Sequence, residues 1–258
     1  MALVLGALGC TQHAVAGAAT PAASITSDPR MQAAIERAAG AHSEDELNTE
    51  MRALAALAGP NFRDLVPQLV VFTLRQQDTR AAMTPAVIRA RLGITDAQLV
   101  EALLPYLETP DAQQRAQLRN WLGAVDAAHG EPRDFGVYRT IVAGHRDDPP
   151  LGLVRYMYET DADGAVTSLA EIYAEPARRG ELLAARRPIA DYRAGQRGAA
   201  GVAAAQAALR TLSSDPAWWL RLYAAATFAQ LPELRTPELV EPLRRDAHPL
   251  VREMAEGR

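Results

Sequence analysis

Apolar residues recur along most of the chain at the spacing of amphipathic helices. The segment Leu99 to Leu107, and the later segment with Leu118 and Leu122, each place their apolar side chains on one helical face. Ser43 and Thr95 precede Glu or Gln at the third following position, which predicts a capping box at two helix starts. No stretch of four residues or more alternates convincingly between apolar and polar. We therefore expect an all-α protein of about fourteen helices, without a sheet.

The last part of the chain contains a repeat. The segment Asp215-Pro-Ala-Trp-Trp-Leu-Arg221 returns 31 residues later as Asp246-Ala-His-Pro-Leu-Val-Arg252, with an Asp six residues before an Arg in each copy. One period holds a helix, a turn and a second helix, which is typical of a helical solenoid. The pattern predicts an α-α superhelix of about six to seven helix pairs with degenerate repeats.

These residues resemble a HEAT repeat, one of the armadillo-like α-solenoid families. In that family a turn Asp and an Arg early in the second helix tie neighbouring repeats into a ladder of hydrogen bonds. The resemblance implies that the ladder residues here are Asp215, Arg221, Asp246 and Arg252. It is good over residues 198–258 and degenerate over residues 28–197, which we expect to form two sections of the array. An irregular helical bundle is the alternative.

Two adjacent tryptophans stand at the start of the first copy. Trp218 shares a helical face with other apolar residues, so we expect it to be buried. Trp219 points about 100° away from it on a helix. We therefore expect one of this pair to face a groove, and Trp219 is a candidate for contact with a partner.

Residues 1–27 differ from the rest of the chain and look like a bacterial lipoprotein leader. An uncharged apolar run from Met1 to Gly9 precedes Cys10, which is the candidate for lipid attachment. Two features depart from the lipoprotein pattern: Ala7 stands where Leu is usual, and no basic residue precedes the run. A signal cut after Ala16 and a cytoplasmic tail are the alternatives. The run is too short to span a bilayer, so we expect membrane contact only through the lipid.

One charged cluster stands out between residues 178 and 197. It contains six arginines but only Glu181 and Asp191 as acids, and a Gly-rich segment follows it. We expect a short helix and then a mobile connection. The hypothesis is a contact for an acidic protein segment or another anion, whereas the alternative is a solvated surface whose charges contribute little stability. The candidate residues are Arg178, Arg179, Arg186, Arg187, Arg193 and Arg197.

The remaining chemistry argues against a catalytic or metal site. His145 lies near Asp148, but these residues precede Pro149 and read as a polar loop with a helix cap. Asp161 could open a calcium loop, yet the twelfth position, which requires Glu, is Ile172. The net charge of −4 does not suit a general nucleic-acid binder. We expect no cofactor, no metal and no nucleic-acid partner.

Together these observations favour a non-enzymatic helical-repeat scaffold that binds a protein partner at the bacterial cell envelope. Stacked repeats form an extended surface without a deep pocket, and such a surface suits protein ligands. Some HEAT-like proteins are enzymes, so a DNA glycosylase-like or bilin lyase-like activity is one alternative. A purely structural module of an envelope complex is another, and a cytoplasmic location is the alternative to export.

Overall fold

The structure is a computed structural model of the chain, and it describes residues 29–58, 89, 94–108, 112–127 and 135–257. The expected leader over residues 1–27, including Cys10, lies outside the described residues. No helix in the described part is long and apolar enough to cross a membrane.

Every regular element in the described residues is helical, and none of these residues forms a strand. The described residues form twelve α-helices and two short 3-10 helices, the latter at Leu104–Tyr106 and Pro232–Leu234. The α-helices are α1 (Pro29–Ala39), α2 (Glu44–Ala58), α3 (Asp96–Leu103), α4 (Ala112–Ala127), α5 (Gly136–Gly144), α6 (Leu151–Thr160), α7 (Ala162–Tyr173), α8 (Pro176–Arg193), α9 (Ala199–Ser213), α10 (Trp218–Gln230), α11 (Pro237–Arg244) and α12 (Pro249–Glu256). The prediction of an all-α protein is confirmed for this part of the chain.

The helix starts follow local sequence signals. The Thr95 hydroxyl accepts the N–H of Gln98 at 3.2 Å, and the Gln98 side chain accepts the N–H of Thr95 at 2.9 Å, which completes the predicted capping box of α3. Helices α8, α11 and α12 begin at Pro176, Pro237 and Pro249. Proline suits the first helical position because the N–H that it lacks has no partner within the helix there.

Helix α10 is the most enclosed element of the C-terminal half. Nine of its 13 residues are buried, and it packs against α6, α7, α9, α11 and α12. Its apolar residues lie on most sides, so that burial requires neighbours on most sides as well. The alanines from Ala224 to Ala226 have small side chains, which lets those neighbours approach closely.

Three buried tyrosines join the helices because each hydroxyl has an acceptor on another element. The Tyr138 hydroxyl donates to the carbonyl of Leu122 at 2.8 Å, and that of Tyr158 donates to the carbonyl of Trp219 at 2.7 Å. The Tyr223 hydroxyl is discussed with the candidate site. A buried hydroxyl without an acceptor would cost free energy, so these bonds favour one arrangement of the helices.

The two copies of the C-terminal repeat form equivalent local hydrogen bonds. Asp215 and Asp246 each accept the backbone N–H two residues later at 2.8 Å. Arg221 donates to the carbonyl of Asp215 at 2.8 Å, and Arg252 donates to that of Asp246 at 2.6 Å. The sequence offset of 31 thus corresponds to two turns with the same bonding.

Arginines also link one segment to the next. Arg221 forms a two-pronged ion pair with Asp246, with distances of 2.6 Å from Nε and 2.9 Å from Nη2. Arg178 donates to both carboxylate oxygens of Asp215, at 3.0 and 2.9 Å. The Asp246 side chain is only 7% exposed. Burial opposes its ionisation, but the bonds from Arg221 and from the N–H of His248 outweigh that effect and lower the pKa of Asp246.

The two tryptophans differ in burial, but not as the sequence suggested. Trp219 is 4% exposed and is therefore the more buried of the pair, whereas the sequence predicted burial for Trp218. Trp218 is only partly buried, with its ring stacked on His248 at 4.3 Å and in edge contact with Tyr173. The reason is that α10 begins at Trp218, at the edge of the packed region, whereas Trp219 lines a cavity between α7 and α8.

The arginine-rich segment is also more regular than expected. Helix α8 runs for 18 residues with Pro188 inside it, so the prediction of a short helix is wrong. The connection to α9 spans residues 194–198, with Gly195 at a φ of 111°. A left-handed φ is accessible to glycine without steric cost, which explains the glycine at this turn.

Candidate functional site

A narrow apolar groove lies between α7 and α8, above the first turn of α10. Its cavity volume is about 200 Å³. The lining residues are Val166, Thr167, Ala170 and Glu171 from α7, Arg179, Leu182, Leu183 and Arg186 from α8, and Trp219 from α10. We call this surface the α7–α8 groove.

The groove has a buried apolar floor and an exposed apolar rim. Trp219, Val166 and Leu182 are buried, and they form the interior surface of the cavity. Leu183 is 56% exposed and, with Leu57 on α2, is one of two large apolar side chains exposed among the described residues. A single exposed leucine is common on protein surfaces, but Leu183 borders the apolar lining of an open cavity and so extends one continuous apolar surface.

Trp219 therefore does line a groove, but as its floor and not as an exposed stacking face. Leu183, Leu182 and Val166 were not singled out from the sequence. They belong to amphipathic helices whose pattern gives the buried face, whereas a gap between two such faces depends on the crossing of α7 and α8.

Three of the six candidate arginines, all on α8, contact neighbouring segments. Arg178 pairs with Asp215, as described above. Arg179 donates from Nε to the carbonyl of Ala174 at 3.2 Å and from Nη2 to that of Glu171 at 3.0 Å. Arg186 donates to the Thr167 hydroxyl at 3.0 Å, and its Nε is buried without a hydrogen-bond partner in the described structure.

The other three arginines differ widely in their surroundings. Arg193 forms an ion pair with Asp163 and donates to the Gln230 side chain at 2.9 Å. Arg197 lies over the ring of Tyr192, 5.6 Å from its centre. The Arg187 side chain is 82% exposed and comes within 3.9 Å of Asp191 alone. Arg178 and Arg193 thus form ion pairs with acids on other segments of the chain.

The side chain of Asp163, on α7, links this helix to α8 and α10 near the groove. Its carboxylate pairs with Arg193 and accepts the Tyr223 hydroxyl at 2.6 Å. The Arg186 guanidinium lies over the Tyr223 ring, 5.6 Å from its centre. Burial and the nearby Asp163 charge raise the pKa of Tyr223 well above its usual value, so the phenol stays protonated and continues to donate.

The positive charge of the groove is only partly neutralised. Arg179 and Arg186 donate to carbonyl and hydroxyl oxygens, and neither has a carboxylate partner among the described residues. Glu171, the single acid in the lining, pairs with Arg139 at 2.5 Å. The groove therefore carries two positive charges without matching negative ones.

Two further cavities lie in the described part of the chain. One, of about 310 Å³, lies where α6 meets α12 and includes the ion pair of Arg155 with Glu253. The other, of about 450 Å³, is wide and shallow and includes Arg139, which pairs with Glu171, and Arg146, which lies over the Tyr173 ring.

The described residues contain no cluster of three side chains suited to a metal ion. Asp161, the residue that could have opened a calcium loop, accepts the N–H groups of Asp163 and Gly164 at 3.1 Å and so caps α7. His145 is exposed at the end of α5, in the polar loop that the sequence predicted.

The fold and this groove define an all-α protein with a basic, apolar-floored surface cleft. Comparison with protein-family models, with curated proteins and with solved structures found no match for the chain.

Proposed function

We propose that this chain is a non-enzymatic helical-repeat scaffold that binds a protein partner through the α7–α8 groove. The observation that carries the proposal is the exposed Leu183 beside a cavity whose floor is Trp219. Burial of such a surface by a partner removes apolar area from water, which is the main favourable term in protein association.

The size of the groove favours a protein over a small molecule. Pockets for small ligands usually measure about 300–1,000 Å³ and enclose most of the ligand. The α7–α8 groove measures about 200 Å³. A cavity of that volume suits one anchoring side chain of a larger partner, with the rest of the contact on the surrounding helix surfaces.

We also propose that the helices form a HEAT-like solenoid. The equivalent bonds of Asp215 and Asp246, and the links from Arg178 and Arg221 to them, support a ladder of the kind that the resemblance implies. In such an array Arg252 would occupy the same place as Arg221. The packing of α10 between α7 and α12 agrees with a row of stacked helices.

For the location, we propose the bacterial cell envelope, with lipid attached at Cys10. The support is the uncharged apolar run before this residue. Cys10→Ser should release the chain from the membrane fraction or leave its leader uncut, because stable anchoring needs acyl chains. Wild-type chain found only in the cytosol with Met1 intact would contradict export.

Site-specific photo-crosslinking tests the binding function. A benzophenone amino acid replaces Leu183 in one variant and Leu57 in the other, since both positions are exposed. In cells, the probe at position 183 should give a discrete crosslinked band of higher mass, and the probe at position 57 should not. Equal patterns from both positions would contradict a partner at the groove.

A further inference from the structure

The two arginines of the α7–α8 groove are held by different contacts, and Arg179 keeps N–H donors for a ligand. The Arg179 guanidinium is positioned by two backbone carbonyls, those of Ala174 and Glu171. Arginine has five N–H donors, so this arrangement fixes the group and leaves donors for another acceptor. A preorganised guanidinium loses less side-chain entropy when it binds a carboxylate.

Arg186 contributes the second positive charge and is held by different contacts. Its Nη1 is bonded to Thr167, its Nε is buried, and the guanidinium lies over Tyr223. The positive charge nevertheless remains without a carboxylate partner in the described structure. Two such charges beside one apolar cavity give the groove a positive potential.

We infer that the α7–α8 groove binds an acidic segment of a partner protein through one apolar anchor side chain and at least one carboxylate. The anchor packs on Trp219 between Leu182 and Leu183, and the carboxylate accepts N–H groups of Arg179. The positive potential of the groove and its apolar floor together require both features in the partner. This inference rests on the proposed function and adds the chemistry of the partner to it.

The inference also separates the six arginines of the cluster. Arg178 and Arg193 already have carboxylate partners within the chain, and Arg187 lies away from the groove lining. Of the two arginines in the groove lining, Arg179 is the one held by backbone carbonyls alone, so we assign the carboxylate contact to it. Arg187 is a matched control, because it is on the same helix and its removal changes the net charge by the same amount.

The first experiment identifies the chemistry of the ligand. A random peptide library is displayed and selected on the full wild-type chain, with counter-selection on Leu183→Asp. We expect the recovered peptides to share one large apolar residue flanked by Asp or Glu. Recovery of peptides without acidic enrichment would overturn the acidic-segment inference and leave groove binding intact. If no peptide preferred the wild-type chain, the groove would not be a binding site, and the proposed function would fail with it.

The second experiment measures the role of Arg179. Recovered peptides are labelled with fluorescein and titrated by anisotropy. Arg179→Gln should weaken binding about tenfold, the effect of losing one close charge pair, whereas Arg187→Gln should change it less than about twofold. Arg179→Lys keeps the charge and should restore part of the loss. Replacement of the peptide's acids by Gln or Asn should remove the difference between wild type and Arg179→Gln.

Two outcomes would overturn this assignment. Wild-type affinity that stayed constant between about 50 mM and about 500 mM salt would contradict a contact between charges, because screening shortens their range. The second outcome concerns light scattering. If the wild-type chain self-associated, Leu183→Asp did not, and the selected peptides failed to compete with the self-association, the groove would bind a second copy of the chain. Unchanged thermal melts of Arg179→Gln and Arg187→Gln are the check on folding.

Discussion

Asp246 shows at the scale of one residue why a sequence repeat recurs as a structural contact. One of its carboxylate oxygens accepts the N–H of His248, and both oxygens accept N–H groups from Arg221. A turn hydrogen bond alone is worth about 1 kcal/mol. A largely buried ion pair raises the cost of losing one partner, because the other charge is then left without compensation.

We expect Asp246→Asn to lower the free energy of unfolding by about 2 kcal/mol at neutral pH. Because the pKa of Asp246 is lower in the folded chain, its contribution is fully present above the unfolded value of about 3.9 and is lost as pH falls through the folded value. Urea denaturation of both proteins across this pH range is the measurement. A stability difference that stayed the same under acid conditions would contradict the role of the carboxylate.

The tryptophan pair gives a second expectation at this scale. Trp219→Ala should cost about 3–5 kcal/mol, the range for emptying a large aromatic site in a core. Trp218→Ala should cost less, because Trp218 is only partly buried and chiefly loses its stacking on His248. Thermal melts of the two variants decide the order. A larger loss for Trp218 would mean that the face assigned as buried is wrong.

At the scale of the element, α8 is held in place by arginines at both ends. Arg178 in its first turn reaches Asp215 ahead of α10, and Arg193 in its last turn reaches Asp163 at the start of α7. The sequence showed the positive charges but not their partners, because Asp163 and Asp215 come close to α8 only through the packing of α7 and α10. Sequence reasoning therefore treated these arginines as candidates for contact with a partner and did not predict their ion pairs within the chain.

Arg193→Gln should destabilise the chain by about 1–2 kcal/mol. It removes a hydrogen-bonded ion pair and leaves the negative charge of Asp163 without its positive partner. Arg187→Gln removes the same charge from an 82% exposed side chain and should change stability by less than about 0.5 kcal/mol. Chemical denaturation compares the two. If both variants changed stability equally, the ion pair of Arg193 would not hold α8 in place.

The turn after α8 depends on a glycine for space. A Cβ added at Gly201 would lie 1.8 Å from the carbonyl oxygen of Gln196, whereas one added at Gly180 would meet nothing within 4 Å. Gly201→Ala should therefore cost about 1–3 kcal/mol through a forced shift of the backbone. Gly180→Ala should stabilise the chain by up to about 1 kcal/mol, because alanine is the better helix former. Melting temperatures that moved in the same direction would contradict the packing of this turn.

At the scale of the whole molecule, the helical class could be predicted because it depends on local signals. The Thr95 capping box and the proline-started helices are encoded in adjacent residues, and the structure contains them. The α7–α8 groove could not be predicted, because it is a gap between helices whose crossing is set by side chains distant in sequence. Leu183 looks like any other apolar helix residue until that crossing is known.

The central claim is that the groove, and not the surface in general, binds the partner. Once crosslinking has identified that protein, its affinity is measured for the wild-type chain, for Leu183→Asp and for Leu57→Asp. We predict a loss of at least about tenfold for Leu183→Asp, since a charge at the rim opposes apolar burial, and a change below about twofold for Leu57→Asp. All three proteins should melt at similar temperatures, because both leucines are exposed. Affinity that Leu183→Asp left unchanged, or that both variants reduced equally, would contradict the account.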